Sequence, residues 1–154
     1  MKIRLLAVGT RPPTWVTQAY TEYSRRLPRE LPLELVQIPA AKHHADAQKY
    51  VRMEGEKMLA QVHKDDWLVA LDETGQTLNS RRLADKLEHW RHQGRNVCFA
   101  VGGADGLAPA VMQRADECVS LSALTMPHYL VRVVLAEALY RAWTICIGHP
   151  YHRA

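Results

Sequence analysis

Three stretches of the chain carry residues whose types and spacing could do chemistry. Gly102-Gly103-Ala104-Asp105-Gly106 follows an apolar run and opens toward a short helical pattern. Backbone amides in such a loop can cradle a phosphate at a helix start, although the spacing Gly-Gly-x-x-Gly also suits a plain turn. Ser122-Ala123-Leu124-Thr125-Met126-Pro127-His128 separates another apolar run from the last helical pattern. Pro and an upstream Ser or Thr make an ordinary helix start. The same small residues would let the backbone lie against a flat ligand, with Leu124 and Met126 as apolar contacts. The third stretch is the tail, Tyr151-His152-Arg153.

The elements that must position these stretches can be read in order. Lys2 to Val8 is an apolar run suited to a buried strand, closed by Gly9 and Pro12-Pro13. Thr14 can cap a helix from Trp15 to about Arg26, with Trp15, Ala19 and Tyr23 at helical spacing, and Pro28 beyond it. Leu33 to Ile38 predicts a second strand, and Asp46 to about Val62 a long helix. Trp67 to Leu71 predicts a third strand, followed by a turn at Asp72-Glu73-Thr74-Gly75 whose acidic pair suits solvent or a ligand equally. Ser80 to Gln93 fits a helix with Leu83, Leu87 and Trp90 on one face, stopped by Gly94. Val97 to Val101, a short helix from Pro109 to Ala115, a strand at Cys118 to Leu121 and a helix from His128 to Trp143 complete the chain. Continuous apolar strands alternating with helices imply an α/β fold, a single domain with a mostly parallel sheet of about five strands. Ligands in such sheets bind beyond the carboxyl ends of the strands, where Leu71, the glycine loop and the Ser122 to Pro127 loop can converge.

Composition narrows the class. With 154 residues, 47% hydrophobic and 23% charged, the chain has the size and balance of one soluble domain. It has no apolar run of membrane-span length and no signal-peptide pattern at its start, so a cytoplasmic location and no membrane partner are expected. The three cysteines, Cys98, Cys118 and Cys146, are odd in number and set among apolar neighbours, which suits buried thiols. His43-His44, His89 with His92, and His149 with His152 lack a Cys or acidic partner at ligand spacing, so no metal is expected. The net charge of +4 is concentrated at the two ends of the chain, a modest basic excess that favours polyanions such as RNA. The last helix is apolar on most sides, leaving only Arg132, Glu137 and Arg141 as polar surface, with Glu137 and Arg141 one turn apart. Such a helix must be buried, either in the domain or against a second subunit, and in so short a chain dimerisation is the economical explanation.

Taken in order, several motifs carry a resemblance: Ala7-Val8-Gly9-Thr10, Val101-Gly102-Gly103-Ala104-Asp105-Gly106-Leu107, Leu121 to His128, Leu130-Val131-Arg132-Val133, Tyr140-Arg141-Ala142-Trp143 and His149-Pro150-Tyr151-His152-Arg153. Together they closely resemble the RlmH family of ribosomal RNA methyltransferases along the whole chain. The resemblance implies a SPOUT-type fold with a C-terminal trefoil knot, acting as a homodimer. It implies transfer of a methyl group from S-adenosylmethionine to N3 of a pseudouridine in a stem-loop of large-subunit (23S) rRNA near the decoding centre, within an assembled ribosome. By matched motif, Leu71, Gly103, Ser122, Ala123, Leu124, Thr125, Met126 and Pro127 would hold the cofactor. Between about Ala41 and Ala47 the match is loose.

Methylation at N3 needs loss of a weakly acidic proton and a well-aligned acceptor, so the tail residues become the catalytic candidates. Arg153 could offset negative charge or hold a phosphate, Tyr151 could stack on or hydrogen-bond the base, and His152 belongs to the residue type suited to proton transfer near neutral pH. His128 and Arg132 are second-line candidates. The alternatives from other classes are a flavodoxin-like nucleotide-binding domain and a non-catalytic RNA-binding module.

Overall fold

The computed structural model describes residues 1–41 and 46–153. His43 and His44, and most of the loosely matching loop before Ala47, lie outside the described residues. Five strands, β1 (Ile3–Val8), β2 (Leu33–Ile38), β3 (Trp67–Thr77), β4 (Val97–Val101) and β5 (Glu117–Ser120), form one parallel sheet in the order β2-β1-β4-β3-β5. Five helices alternate with them: α1 (Thr14–Ser24), α2 (Ala47–Leu59), α3 (Ser80–Gln93), α4 (Pro109–Arg114) and α5 (His128–Ile147). Helices α1, α3 and α5 pack together on one face and α2 and α4 on the other. Each face therefore has its own core. Leu5, Phe99, Val69, Leu87, Trp90, Leu135 and Leu139 fill the first, and Leu6, Cys98, Leu68, Met58 and Val111 the second. Adjacent residues of one strand feed opposite cores, which is why the strands read as unbroken apolar runs.

Helix boundaries follow their caps. Asp46 accepts a hydrogen bond from Gln48 N at 3.0 Å, and Asn79 one from Arg82 N at 2.9 Å. Gly94 ends α3 with φ of 63°. Asn79→Ala is expected to lower stability by about 1 kcal/mol, read as a shift in the chemical unfolding midpoint at unchanged slope.

Several sequence expectations are corrected. Thr14 is the first helical residue, Pro13 takes the cap position, and no side chain caps α1. The buried face of α1 is Val16 and Tyr20, one step round from the expected Trp15 and Tyr23, so Trp15 is 55% exposed. The Asp72–Gly75 stretch is not a simple turn but part of β3, which pairs with β5 a second time after a register shift between Leu71 and Gln76. Helix α5 runs four residues past Trp143 to Ile147. Cys118 and Cys146 are half-buried, and only Cys98 is fully covered.

Arg132 is the largest correction. It is 1% exposed, donating to Gly9 O at 2.7 Å, to Val8 O at 3.4 Å and to Gln37 Oε1 at 2.8 Å. Its guanidinium lies 4.7 Å from the Tyr129 ring centroid, and burial lowers its pKa. Far from being polar surface, it clamps the end of β1 to α5. Among the described residues no helix is long and apolar enough to cross a membrane.

Candidate active site

The carboxyl ends of β3, β4 and β5 open into one cleft of about 470 Å³. Its walls are three backbone segments: Leu71, where the pairing of β3 with β4 ends, with Asp72 and Glu73 after it; residues 101–107; and residues 120–122 with Leu124, Thr125 and Met126. Val131 and His128 of α5 close it from the helix side. The expected cofactor residues Leu71, Gly103, Ser122, Leu124, Thr125 and Met126 thus line one space. Ala123 and Pro127 belong to the same loop but are not among the residues lining it.

Local chemistry fixes each wall. In the glycine loop Gly106 N donates to Gly103 O at 3.1 Å, and Gly106 has φ of 82°, a conformation that favours glycine. The loop folds so tightly that a Cβ on Gly102 would lie 2.3 Å from the Gly106 carbonyl carbon. In the 122–127 loop, Ser120 Oγ donates to Ser122 O at 2.9 Å, and Ser122 Oγ accepts from Leu124 N at 2.9 Å. These serines brace a turn ahead of the helix; Pro127 takes the cap position of α5 with no side-chain cap bond. The turn leaves Leu124 77% exposed beside the cleft, an unusual cost for an apolar side chain. On the opposite rim Asp72 accepts from Thr74 N at 3.0 Å and from the Thr74 hydroxyl.

The tail is ordered as a 3-10 turn, Pro150–Arg153, packed on α5. Tyr151 donates to Glu137 Oε1 at 3.1 Å, and Arg141 donates to the same oxygen at 2.6 and 2.9 Å. The Tyr151 ring lies 4.7 Å from that of Tyr140 and 5.1 Å from the Arg141 guanidinium. Burial, followed by the Glu137 carboxylate, pushes the Tyr151 phenol up to about 12, so it stays protonated and donates to that carboxylate. His152 Nδ1 is buried with no hydrogen-bond partner among the described residues, and Arg153 is exposed. None of these three lines the cleft of its own chain. Glu137 at the tail lies nine helical steps after His128 at the cleft, about 14 Å along the axis.

A family profile described as "Predicted SPOUT methyltransferase" matches residues 1–152. The chain belongs to the SPOUT methyltransferase family. This places it among methyl-transferring enzymes and sets aside the flavodoxin-like alternative. Solved structures agree on the fold. A "probable methyltransferase" from Bordetella pertussis Tohama I is 15% identical with a TM-score of 0.57, over 91% of this chain and 95% of that one. A "probable methylase family protein" from Haemophilus influenzae Rd KW20 is 12% identical with a TM-score of 0.54, over 97% of this chain and 69% of that one. For this SPOUT chain, the sequence left Asp72 and Glu73 open between solvent and a ligand and offered His128 and Arg132 as second-line candidates; the structure puts Asp72, Glu73 and His128 on the cleft, whereas Arg132 does not line it and is a clamp instead. The acidic pair was visible at a strand end, whereas nothing in the sequence places Arg132 against backbone carbonyls of β1. Among the described residues no group of three His, Cys, Asp or Glu could hold a metal.

Proposed function

We propose that this chain transfers the methyl group of S-adenosylmethionine to N3 of a pseudouridine in a stem-loop of 23S rRNA near the decoding centre, as a homodimer acting on the assembled ribosome. The observation that carries the reading is the meeting of the 71–73, 101–107 and 120–126 segments in one cleft of a SPOUT-family chain. The cleft has the features such a cofactor needs. Leu71, Leu124, Met126 and Val131 offer apolar surface to an adenine, the tight glycine loop brings backbone rather than side chains to it, and Asp72 and Glu73 suit ribose hydroxyls and a cationic sulfonium or amine. The trefoil knot expected from the resemblance belongs to this reading, with the cofactor loops as its strands.

Bound S-adenosylmethionine would supply an electrophilic methyl on a positive sulfur. The remaining work falls to positioning and to the N3 proton. The separation of tail and cleft within one chain favours a site completed by a second copy, whose Tyr151, His152 and Arg153 would face the RNA. There Arg153 would stabilise the imide anion and Tyr151 would hydrogen-bond the base, with the buried His152 Nδ1 gaining a partner. The largely apolar helix α5, with Val133, Val134 and Leu130 only partly covered and Ile147 52% exposed, is the surface offered to that copy.

Arg153→Ala is expected to lower the methylation rate of a stem-loop or ribosome substrate about 100-fold while calorimetric S-adenosylmethionine affinity stays within about twofold. Equal losses in both would remove Arg153 from the RNA side. No cofactor binding by the folded wild type would return the chain to the RNA-binding alternative. Mixing Arg153→Ala with a cofactor-loop variant should restore roughly a quarter of wild-type activity if the tail acts across the dimer, because half of the re-formed dimers carry one intact site.

A further inference from the structure

A second cleft, of about 560 Å³, lies on the other side of the glycine loop. Val8, Gly9, Thr10 and Arg11 from the end of β1, Pro39, Ala40 and Ala41 from the end of β2, Tyr50 and Glu54 from α2, and Tyr129 from α5 surround it. It shares Gly103, Ala104, Asp105 and His128 with the first cleft, so the two are neighbours across one thin wall.

Topology favours a ligand here. Strands β1 and β4 are adjacent, yet the chain leaves β1 toward α1 on one face and β2 on one side, and leaves β4 toward α4 on the opposite face and β5 on the other side. Diverging connections open a crevice at the carboxyl ends of the two strands, the place where open α/β sheets bind ligands. The second cleft is that crevice.

Its chemistry is one-sided. Glu54 is 6% exposed, and its Oε2 accepts from Ala41 N at 3.2 Å. Its Oε1 has no hydrogen-bond partner among the described residues and lies 3.8 Å from where a Cβ on Gly103 would stand. A second carboxylate, Asp105, sits on the same wall and accepts the Tyr50 hydroxyl. No cation is paired with Glu54 among the described residues, and burial raises its pKa. As a carboxylate oxygen, Oε1 can only accept, and Glu54 lines the cleft, where a donor can reach it. Val8, Pro39 and the Tyr129 ring supply flat apolar walls, and Arg11 is exposed at the mouth.

We infer that this cleft is a subsite for a nucleobase bearing an exocyclic amine, the nucleotide next to the methylated one in the substrate RNA, held by an N–H donor on Glu54 Oε1. The proposal rests on the methyltransferase reading for its RNA. The methyl acceptor itself does not suit the cleft: a pyrimidinedione has no amine, and each of its N–H groups is flanked by at least one carbonyl that a carboxylate would repel. An amine such as N4 of cytosine pairs with a carboxylate directly. The position of the subsite, one loop away from the cofactor cleft, is that of a neighbour in the same strand, splayed out as single-stranded RNA bases are when read by proteins.

The test is a titration of the protein with cytidine 5′-monophosphate and with uridine 5′-monophosphate, followed by backbone amide NMR shifts at Ala41, Gly103 and Ala104. Cytidine monophosphate is expected to bind about tenfold more tightly than the uridine form. In Glu54→Gln the Ala41 N–H still claims the side-chain carbonyl, so the amide NH2 turns to the cleft. Preference should then invert toward uridine, a result that mere loss of folding cannot give. Equal binding of both nucleotides by the wild type, or an unchanged preference in Glu54→Gln, would overturn the subsite. A stem-loop RNA should displace cytidine monophosphate from these amides; failure to compete would overturn the assignment to RNA. Calorimetry with S-adenosylmethionine on the same samples reports separately on the cofactor cleft, so loss of that reading and loss of this one are distinct results.

Discussion

Gly102→Ala should cut methyl transfer at least about 100-fold while the protein remains folded. The reason is steric. The new Cβ would stand 2.3 and 2.4 Å from the Gly106 carbonyl atoms and 2.8 Å from Leu107 N, all backbone, which no side-chain rotation can relieve. The loop must open, and overpacking of this kind costs about 1–3 kcal/mol. Because residues 103–105 wall both clefts, a displacement of about 1 Å there would, on the proposed reading, misplace the methyl donor in one and the neighbouring nucleotide in the other, enough for the expected loss in rate. Single-turnover methylation and calorimetry with S-adenosylmethionine, beside a far-ultraviolet dichroism spectrum, check it. A variant that binds the cofactor and turns over normally would show that the tight loop is only a turn.

Arg132→Met should be the most destabilising single change outside the apolar core. The variant keeps the length of the side chain but removes the donors to Gly9 O and Val8 O, both buried, and to Gln37. An orphaned buried acceptor costs about 1–3 kcal/mol. A loss of about 3–4 kcal/mol is therefore expected, lowering the melting temperature by roughly 10 °C for a domain of this size. Arg132→Lys should recover little, since one ammonium cannot span both the β1 carbonyls and Gln37 as a planar fork does. Thermal unfolding of the two variants decides it. A shift of only 1–2 °C in Arg132→Met would mean that water or a small rearrangement replaces the clamp.

These two positions mark what a sequence can and cannot convey. The sheet was legible because each strand is covered on both faces and so reads as a solid apolar run, Val97–Val101 most clearly. The convergence of the loops on one cleft was legible because glycine and small polar residues cluster at the strand ends. The far part of β3 was not, because it pairs only with β5 at the sheet edge and carries the polar, half-exposed composition of a turn. Trp15 was misplaced because Trp15, Ala19 and Tyr23 stand at helical spacing, while the spacing of Val16 and Tyr20 fits the packed face equally well. Arg132 sits in a helix whose apolar neighbours say nothing about carbonyls more than a hundred residues earlier in the chain. Glu54 likewise looks like one acidic residue among several on an amphipathic helix until α2 is laid against Gly103.

The double pairing of β5 also bears on how a small molecule could come and go. Val119 is opposite both Leu71 and Gln76, so the intervening rim that carries Asp72 and Glu73 is stapled to the sheet at both of its feet. That rim cannot swing aside without unzipping an edge strand, and the Leu78 amide, which donates to Ser120 O just beyond it, should exchange with solvent hydrogen slowly. Among the described residues the facing 122–127 segment is braced at its start by Ser120 and Ser122, and it exposes Ala123, Leu124 and Thr125. On the proposed reading a cofactor would enter and leave past this one bank of the cleft, and its residence time would be a property of that short loop and of whatever leans on Leu124.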